Sequence, residues 1–389
     1  MSSTKIKKII KQDVIKEIIK QDVIKEIIKQ DVIKDKSIKK KKKELGQFYT
    51  TNQEYILQGI DIPSNVINII EPFTGNGDLL KFIEKNNKKY NIKCYDINPK
   101  NNNSNIIIQD TLMNPPDYNN MYLITNPPYL ARNKSTNKTL FDKYDVNDLY
   151  KCLIKELLVN KCIGGILIIP LNFWSSIRLA DIELRRSFLK IYNIILLNIF
   201  EEQVFDDTTY TTCSFQFELK HNELKHNTLP SILNIIIYPS KVKITTELND
   251  GNNYMIGGEI YNLKLKNSYK ITRLTTKNNK ANTNILVKCI DDNINSMIGL
   301  SIVQDKDIYI DDTPNQTART YATLIIEPAI NKEKQEQLVS KFNKFLGDYR
   351  QKYNSLFLTN YRESKDIARK RISFDLVYNI TIYLLENFD

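Results

Sequence analysis

The sequence predicts an α/β fold: a Rossmann-like, doubly wound sheet with an antiparallel edge hairpin, followed by an α+β C-terminal region. Three observations predict it. The apolar run Asn65-Val66-Ile67-Asn68-Ile69-Ile70 leads directly into a turn holding Gly75 and Gly77, and Leu79 to Ile83 then reads as a helix; strand, glycine turn, helix is the first unit of a doubly wound sheet. Short apolar runs follow in succession, each ending on a polar side chain, Asp96, Asp110 and Asn126. Residues 230–330 then change character, to short strands and polar turns such as Asn249-Asp250-Gly251-Asn252.

Taken in order, residues 11–34 are a repeat. Lys11-Gln12-Asp13-Val14-Ile15-Lys16-Glu17-Ile18-Ile19 recurs from Lys20 and, shortened, from Lys29. A nine-residue step turns a helix by about 180°, so successive apolar pairs face opposite sides and no heptad seam forms. Residues 1–43 hold 15 Lys against 6 Asp and Glu. Of the chain's net charge of +11, this arm therefore carries +9, and the remaining residues are close to neutral. The arm is expected to be a linker outside the core, or a DNA-tethering segment acting through sequence-independent attraction to phosphate. The expected organisation is an arm at 1–43, a catalytic domain at 44–220 and a recognition and helical region at 221–389.

Five scattered cysteines, no Cys-x-x-Cys and two histidines exclude a zinc site or disulfide framework as the organising principle. They suit a reducing intracellular compartment, and no secretory signal or membrane-length apolar run is visible, so no membrane partner and no metal are expected.

After the glycine turn, Ile92 to Tyr95 is a strand ending at Asp96, 21 positions beyond Gly75. An acid there accepts hydrogen bonds from ribose hydroxyls. Asn105 to Ile108 is a third strand, ending at Asp110, where a carboxylate can receive an adenine amino group. The third glycine of the dinucleotide fingerprint is missing, which disfavours a nicotinamide. Together these strand ends describe a pocket for an adenosine-bearing cofactor. The fourth strand, Met121 to Thr125, delivers Asn126-Pro127-Pro128-Tyr129 to the same edge. The prolines hold the backbone extended and donate no N–H. Asn126 and the Pro127 carbonyl thus become two aimed acceptors beside the flat ring of Tyr129, an arrangement suited to a planar substrate bearing an NH₂ group. A plain Pro-Pro turn is the alternative reading of these four residues alone. Asn114-Pro115-Pro116-Asp117 lacks both the aromatic and the preceding strand and reads as a turn. Residues 149–158 and 179–192 read as helices, Gly164 to Pro170, Ile194 to Phe200 and Thr211 to Leu219 as strands, the last two forming the edge hairpin, and 331–356 as a charged helix.

The ordered set Gly46-Gln47-Phe48-Tyr49-Thr50, Glu71-Pro72-Phe73-Thr74-Gly75-Asn76-Gly77, Asp96, Asp110, Asn126-Pro127-Pro128-Tyr129, Gly164-Gly165 to Pro170 and Val204-Phe205 resembles the gamma-class adenine-N6 DNA methyltransferases of type II restriction–modification systems. The resemblance covers residues 44–220. It implies S-adenosylmethionine as cofactor, with Tyr49 and Thr50 at its methionine end, Glu71, Pro72 and the Gly75–Gly77 turn beneath it, Asp96 and Ile97 at the ribose, and Asp110 and Thr111 at the adenine. It implies that Asn126 and Pro127 hold the target amino group and that Tyr129 and Phe205 sandwich a base turned out of duplex DNA. It makes the C-terminal region the target reader, and it leaves a cognate restriction endonuclease open as a second partner. The segment is commonly followed by proline, where this chain has Thr51.

The residues suit that chemistry. The exocyclic nitrogen of adenine is a poor nucleophile, because its lone pair is delocalised into the ring. Two acceptors on its hydrogens stabilise the charge that develops on attack, and the rest is positioning. A cytosine carbon-5 enzyme needs a cysteine nucleophile, usually after proline, and no Pro-Cys pair exists here. Two alternatives stay open: a protein-glutamine or RNA-adenine methyltransferase with the same Asn-Pro-Pro-Tyr site, and a DNA-binding protein whose methyltransferase site has decayed. The segment before the glycine turn and the large C-terminal region weigh against the first; the intact acids and Asn126 weigh against the second.

Overall fold

The computed structural model describes residues 46, 48, 50–86, 88–99, 105–205, 210–220, 231–278, 280–293, 295–312, 320–360 and 369–388. The N-terminal repeat, Tyr49 and residues 361–368 lie outside the described residues. The first short helix, α1 (Gln53–Ile56), precedes the strand β1 (Asn68–Glu71), which ends where the glycine turn begins and is followed by α2 (Asp78–Glu84). Then come β2 (Asn91–Asp96), β3 (Ile106–Ile108) and β4 (Tyr122–Thr125), helices α3 (Thr139–Tyr144) and α4 (Leu149–Val159), and β5 (Gly164–Pro170). β4 and β5 are buried along their whole length, which is why they read as unbroken apolar runs. After α5 (Asn172–Ser175) and α6 (Leu179–Ile191) come β6 (Tyr192–Phe200), β7 (Thr212–Leu219), β8 (Ser231–Tyr238) and β9 (Val242–Leu248).

These nine strands form one sheet in the order β3-β2-β1-β4-β5-β7-β6-β8-β9. β1 to β5 are parallel, β7 runs antiparallel to both β5 and β6, and β8 runs parallel to β6. The hairpin of β6 and β7 forms, but it is not the edge. β8 pairs with the outer side of β6, Leu197 with Ile235 to Phe200 with Tyr238, and β9 closes onto β8. An unpaired outer row on β6 would leave backbone donors and acceptors open; the sheet therefore runs past residue 220, to Leu248.

The feature that places the site is the reversal of strand order between β1 and β4. From β1 the chain builds outward through β2 and β3, and from β4 it builds the other way. Crevices in such sheets open at the carboxyl ends of the strands at this point. The glycine turn after β1 and Asn126 after β4 flank it.

A second sheet is antiparallel, with β10 (Lys270–Arg273), β11 (Ile285–Lys288), β12 (Gly299–Ile302) and β13 (Tyr321–Glu327) in the order β10-β13-β11-β12. The charged helix α7 (Lys332–Tyr353) packs against β12. Its start is set by Asn331, whose side chain accepts from the Lys334 amide at 2.8 Å. Leu338, Phe342 and Leu346, four residues apart, are its buried stripe. The chain ends with α8 (Phe374–Glu386).

Candidate active site

The turn after β1 is held by the end of β2. Gly75 and Gly77 take φ of 55° and 78°, a left-handed backbone that side chains resist. The Gly75 amide donates to Asp96 Oδ2 at 2.8 Å, and Asp96 Oδ1 accepts from the Asn98 amide at 2.7 Å. Asp96 thus shapes the turn with one lone pair of each oxygen and retains the other pair for a ligand. Asp110 acts similarly after β3, with Oδ1 accepting from the amides of Leu112 and Met113 at 3.1 and 3.0 Å.

Glu71 closes β1. It is 1 % exposed, and its Oε2 has no hydrogen-bond partner among the described residues. Burial, followed by the carboxylates of Asp96 and Asp78, raises its pKa well above the ordinary carboxyl range. The folded protein then retains a proton that the unfolded chain has already released, so this group's contribution to stability falls as pH rises through that window. Glu71→Gln is expected to remove that part of the slope. Urea unfolding at a series of pH values, roughly 5 to 8, checks this; superimposable pH dependences for the two proteins contradict it.

Asn126 sits at the end of β4 with its amide fixed on both sides. Nδ2 donates to the Phe48 carbonyl at 2.9 Å and to Thr50 Oγ1 at 3.1 Å. Oδ1 faces the hydroxyl of Tyr129, which also reaches the Ile168 carbonyl at 2.8 Å. Tyr129 is 2 % exposed, and burial first of all holds its hydroxyl in the protonated, donating form. Its ring is stacked by Phe48, with centroids 5.5 Å apart and planes at 29°, and met edge-on by Tyr150 and Tyr210.

A cavity of about 390 Å³ opens beside these groups. Gly75, Asp96, Ile97, Asp110, Thr111 and Asn126 line it, so six of the expected positions converge on one space. The others sit differently. Thr50 is buried against Asn126, and Pro72 lies behind the wall, its carbonyl accepting from Thr111 Oγ1 at 3.0 Å. Gly77 caps α2, and Glu71 is buried at the end of β1, not among the residues that line the cavity. Pro128 borders the cavity, whereas Pro127 is buried. Phe205 is 1 % exposed and is not among the described rings packed on Tyr129.

Several wall residues were not singled out from the sequence: the apolar Leu140 and Phe141 and the polar Ser135, Asn137 and Thr139; Phe73, which also lines the cavity, was quoted within its segment but given no task. The polar run from Ser135 to Thr139, directly downstream of Asn126-Pro127-Pro128-Tyr129, is the signal that could have found the latter. Phe48 was quoted within its segment but given no task; it both lines the cavity and covers Tyr129. No cluster of metal-ligating side chains occurs among the described residues, and no described helix is long and apolar enough to cross a membrane.

No family model matches the chain, and no curated protein matches it. Among solved structures, it is similar to a modification subunit of a type I restriction enzyme from Vibrio vulnificus YJ016, at 13 % identity and a TM-score of 0.38, over 56 % of this chain and 53 % of that one. It is also similar to a type I restriction–modification methyltransferase subunit from Streptococcus thermophilus, at 13 % identity and a TM-score of 0.36, over 49 % of this chain and 47 % of that one. A DrdV–DNA complex aligns at 14 % identity and a TM-score of 0.38, over 56 % of this chain and 32 % of that one. The chain spans about half the length of the first two.

Proposed function

We propose that this chain is an S-adenosylmethionine-dependent DNA methyltransferase that methylates the N6 amino group of adenine in duplex DNA. The observation that carries the reading is the meeting of Asn126 with Asp96 and Asp110 in one cavity, at the point where the strand order reverses. In this reading Asp96 and Ile97 hold the ribose, Asp110 and Thr111 the adenine of the cofactor, and Tyr49 and Thr50 border its methionine end. The residues present fit the cofactor's positive charge: the carboxylates of Asp96 and Asp110 line the cavity, and Glu71 at the end of β1 keeps a buried oxygen with no hydrogen-bond partner among the described residues. When bound, the cofactor supplies an electrophilic methyl group on a sulfonium.

The chain's own contribution is to hold the acceptor nitrogen. Asn126 Oδ1 and the Pro127 carbonyl accept from the two amino hydrogens, which favours a more pyramidal nitrogen and offsets the positive charge that builds there. Taking up that hydrogen bond requires Tyr129 to turn its hydroxyl to Ile168. Stacking of the extruded base on Tyr129 requires Phe48 to leave the face it covers; Phe205 supplies the opposite wall only if it moves from the core. Residues 44–220 are assigned to catalysis, together with β8 and β9, which complete the same sheet to Leu248, and the region beyond it, with the second sheet, to reading the DNA.

Incubating the protein with labelled S-adenosylmethionine and mixed-sequence duplex DNA, followed by nucleoside analysis, tests the reading. N6-methyladenine is the expected product. Label appearing in protein or RNA, with none in DNA, would replace the reading by the protein-glutamine or RNA alternative; no transfer to any acceptor, with DNA still bound, would favour the decayed-site alternative.

A further inference from the structure

The segment from Gly46 to Thr50 meets the Asn126–Tyr129 motif at five points. The Tyr129 amide donates to the Gly46 carbonyl at 2.8 Å. Gly46 has φ of 66°, and a Cβ there would lie 2.7 Å from the Tyr129 carbonyl oxygen, so this close approach needs glycine. The Phe48 ring covers Tyr129. The remaining two points are the acceptors on Asn126 Nδ2, the Phe48 carbonyl and Thr50 Oγ1.

An asparagine amide is nearly symmetric in shape, and a half-turn exchanges its acceptor with its donor. If Asn126 serves as an acceptor for an amino group, that half-turn would place an N–H against the substrate's own N–H and abolish the interaction. The Phe48 carbonyl can only accept, so it disfavours the half-turn, which would bring Oδ1 against it; the Thr50 hydroxyl, which can donate as well as accept, does not choose the sense of the amide but holds its plane by accepting the second N–H. Both Thr50 and Asn126 are buried, so water is a poor substitute for either acceptor.

We propose that Thr50 is a positioning residue for Asn126: its hydroxyl accepts the second N–H and holds the amide in the plane that presents Oδ1 to the acceptor nitrogen, while the Phe48 carbonyl sets which end of the amide faces that way. This deepens, and rests on, the reading of Asn126 given above. It is distinct from any contact of Thr50 with the cofactor, and the two are separable. Thr50→Val keeps the shape and removes the acceptor; Thr50→Ser keeps the acceptor and loses only a methyl.

The test uses the full-length protein, selectively ¹⁵N-labelled at asparagine, with the Asn126 side-chain signal assigned by its loss in Asn126→Ala. In wild type and Thr50→Ser the Asn126 NH₂ protons should exchange slowly with water; in Thr50→Val they should exchange at least about tenfold faster. Turnover on whichever acceptor the wild type methylates, measured at saturating S-adenosylmethionine, should fall about 5- to 10-fold in Thr50→Val and should largely recover in Thr50→Ser. Unchanged exchange in Thr50→Val, equal losses in the valine and serine variants, or a loss confined to cofactor affinity would each overturn the proposal. Failure of the adenine reading shows separately, as absence of N6-methyladenine with wild-type protein, and leaves the exchange measurement to decide the role of Thr50.

Discussion

Asn126→Ala is expected to lower methyl transfer by about two to three orders of magnitude while leaving S-adenosylmethionine affinity within a few fold. Asn126 is the one side-chain acceptor at the carboxyl end of β4 that lines the cavity, and its orientation is held from both sides. Alanine removes that acceptor and leaves the Pro127 carbonyl to act alone. The groups left behind are not stranded equally. Tyr129 keeps the Ile168 carbonyl as an acceptor, and only the Phe48 carbonyl and Thr50 lose a donor. The acids assigned to the cofactor stand on other strands and keep their amides. Single-turnover transfer from labelled cofactor, set beside equilibrium binding of the same cofactor, checks the split. A loss below about tenfold, or a matching loss of cofactor affinity, contradicts the role given to Asn126.

The convergence of Asn126, Asp96 and Asp110 was legible in the sequence for a physical reason. Each ends an apolar strand, parallel strands in a doubly wound sheet share a carboxyl edge, and chain order sets which strands neighbour the reversal. The exposure of Tyr129 was not legible. A ring beside a cavity is a platform or a core residue according to what packs on it, and Phe48 arrives from far upstream in the chain. The extension of the sheet by β8 and β9 was hidden for a similar reason. Ser231 to Tyr238 is an apolar strand that carries no mark of which sheet it joins; the open side of β6 decides that. Nothing in the sequence told Arg185 from Arg186 either. They are neighbours on α6, yet Arg185 is fully buried while Arg186 pairs on the surface with Asp250 at 3.0 Å.

Arg185→Met is accordingly expected to destabilise the protein by about 3–5 kcal/mol, whereas Arg186→Met should change the unfolding midpoint little. The Arg185 guanidinium gives its described hydrogen bonds to four main-chain carbonyls: Nη1 to Phe173 at 2.7 Å, Nη2 to Ser176 at 2.8 Å and Asn253 at 3.2 Å, and Nε to Tyr254 at 3.0 Å. Burial pushes its pKa down to about 10, partly countered by Asp181, so it stays charged at neutral pH. Burial alone would raise the Asp181 carboxyl, but the Lys151 ammonium and the Ser176 hydroxyl bring it below its ordinary range and keep a counter-charge nearby. Methionine fills most of the volume and satisfies none of the carbonyls. Two of those carbonyls follow β5 and two follow β9, so one side chain ties the nine-stranded sheet to the start of the region that follows it. Arg185→Lys should fall between the two proteins, since an ammonium keeps the charge but cannot span a planar fork of four acceptors. Urea unfolding of the three proteins measures the order. Because neither Arg185 nor the residues whose carbonyls it binds line the cavity, cofactor binding to the folded Arg185→Met protein should persist, while, on the proposal that the C-terminal region holds DNA against the cavity, turnover should fall further than stability alone accounts for. Equal stability of Arg185→Met and wild type would show that the four carbonyls find other partners and that the tie is dispensable.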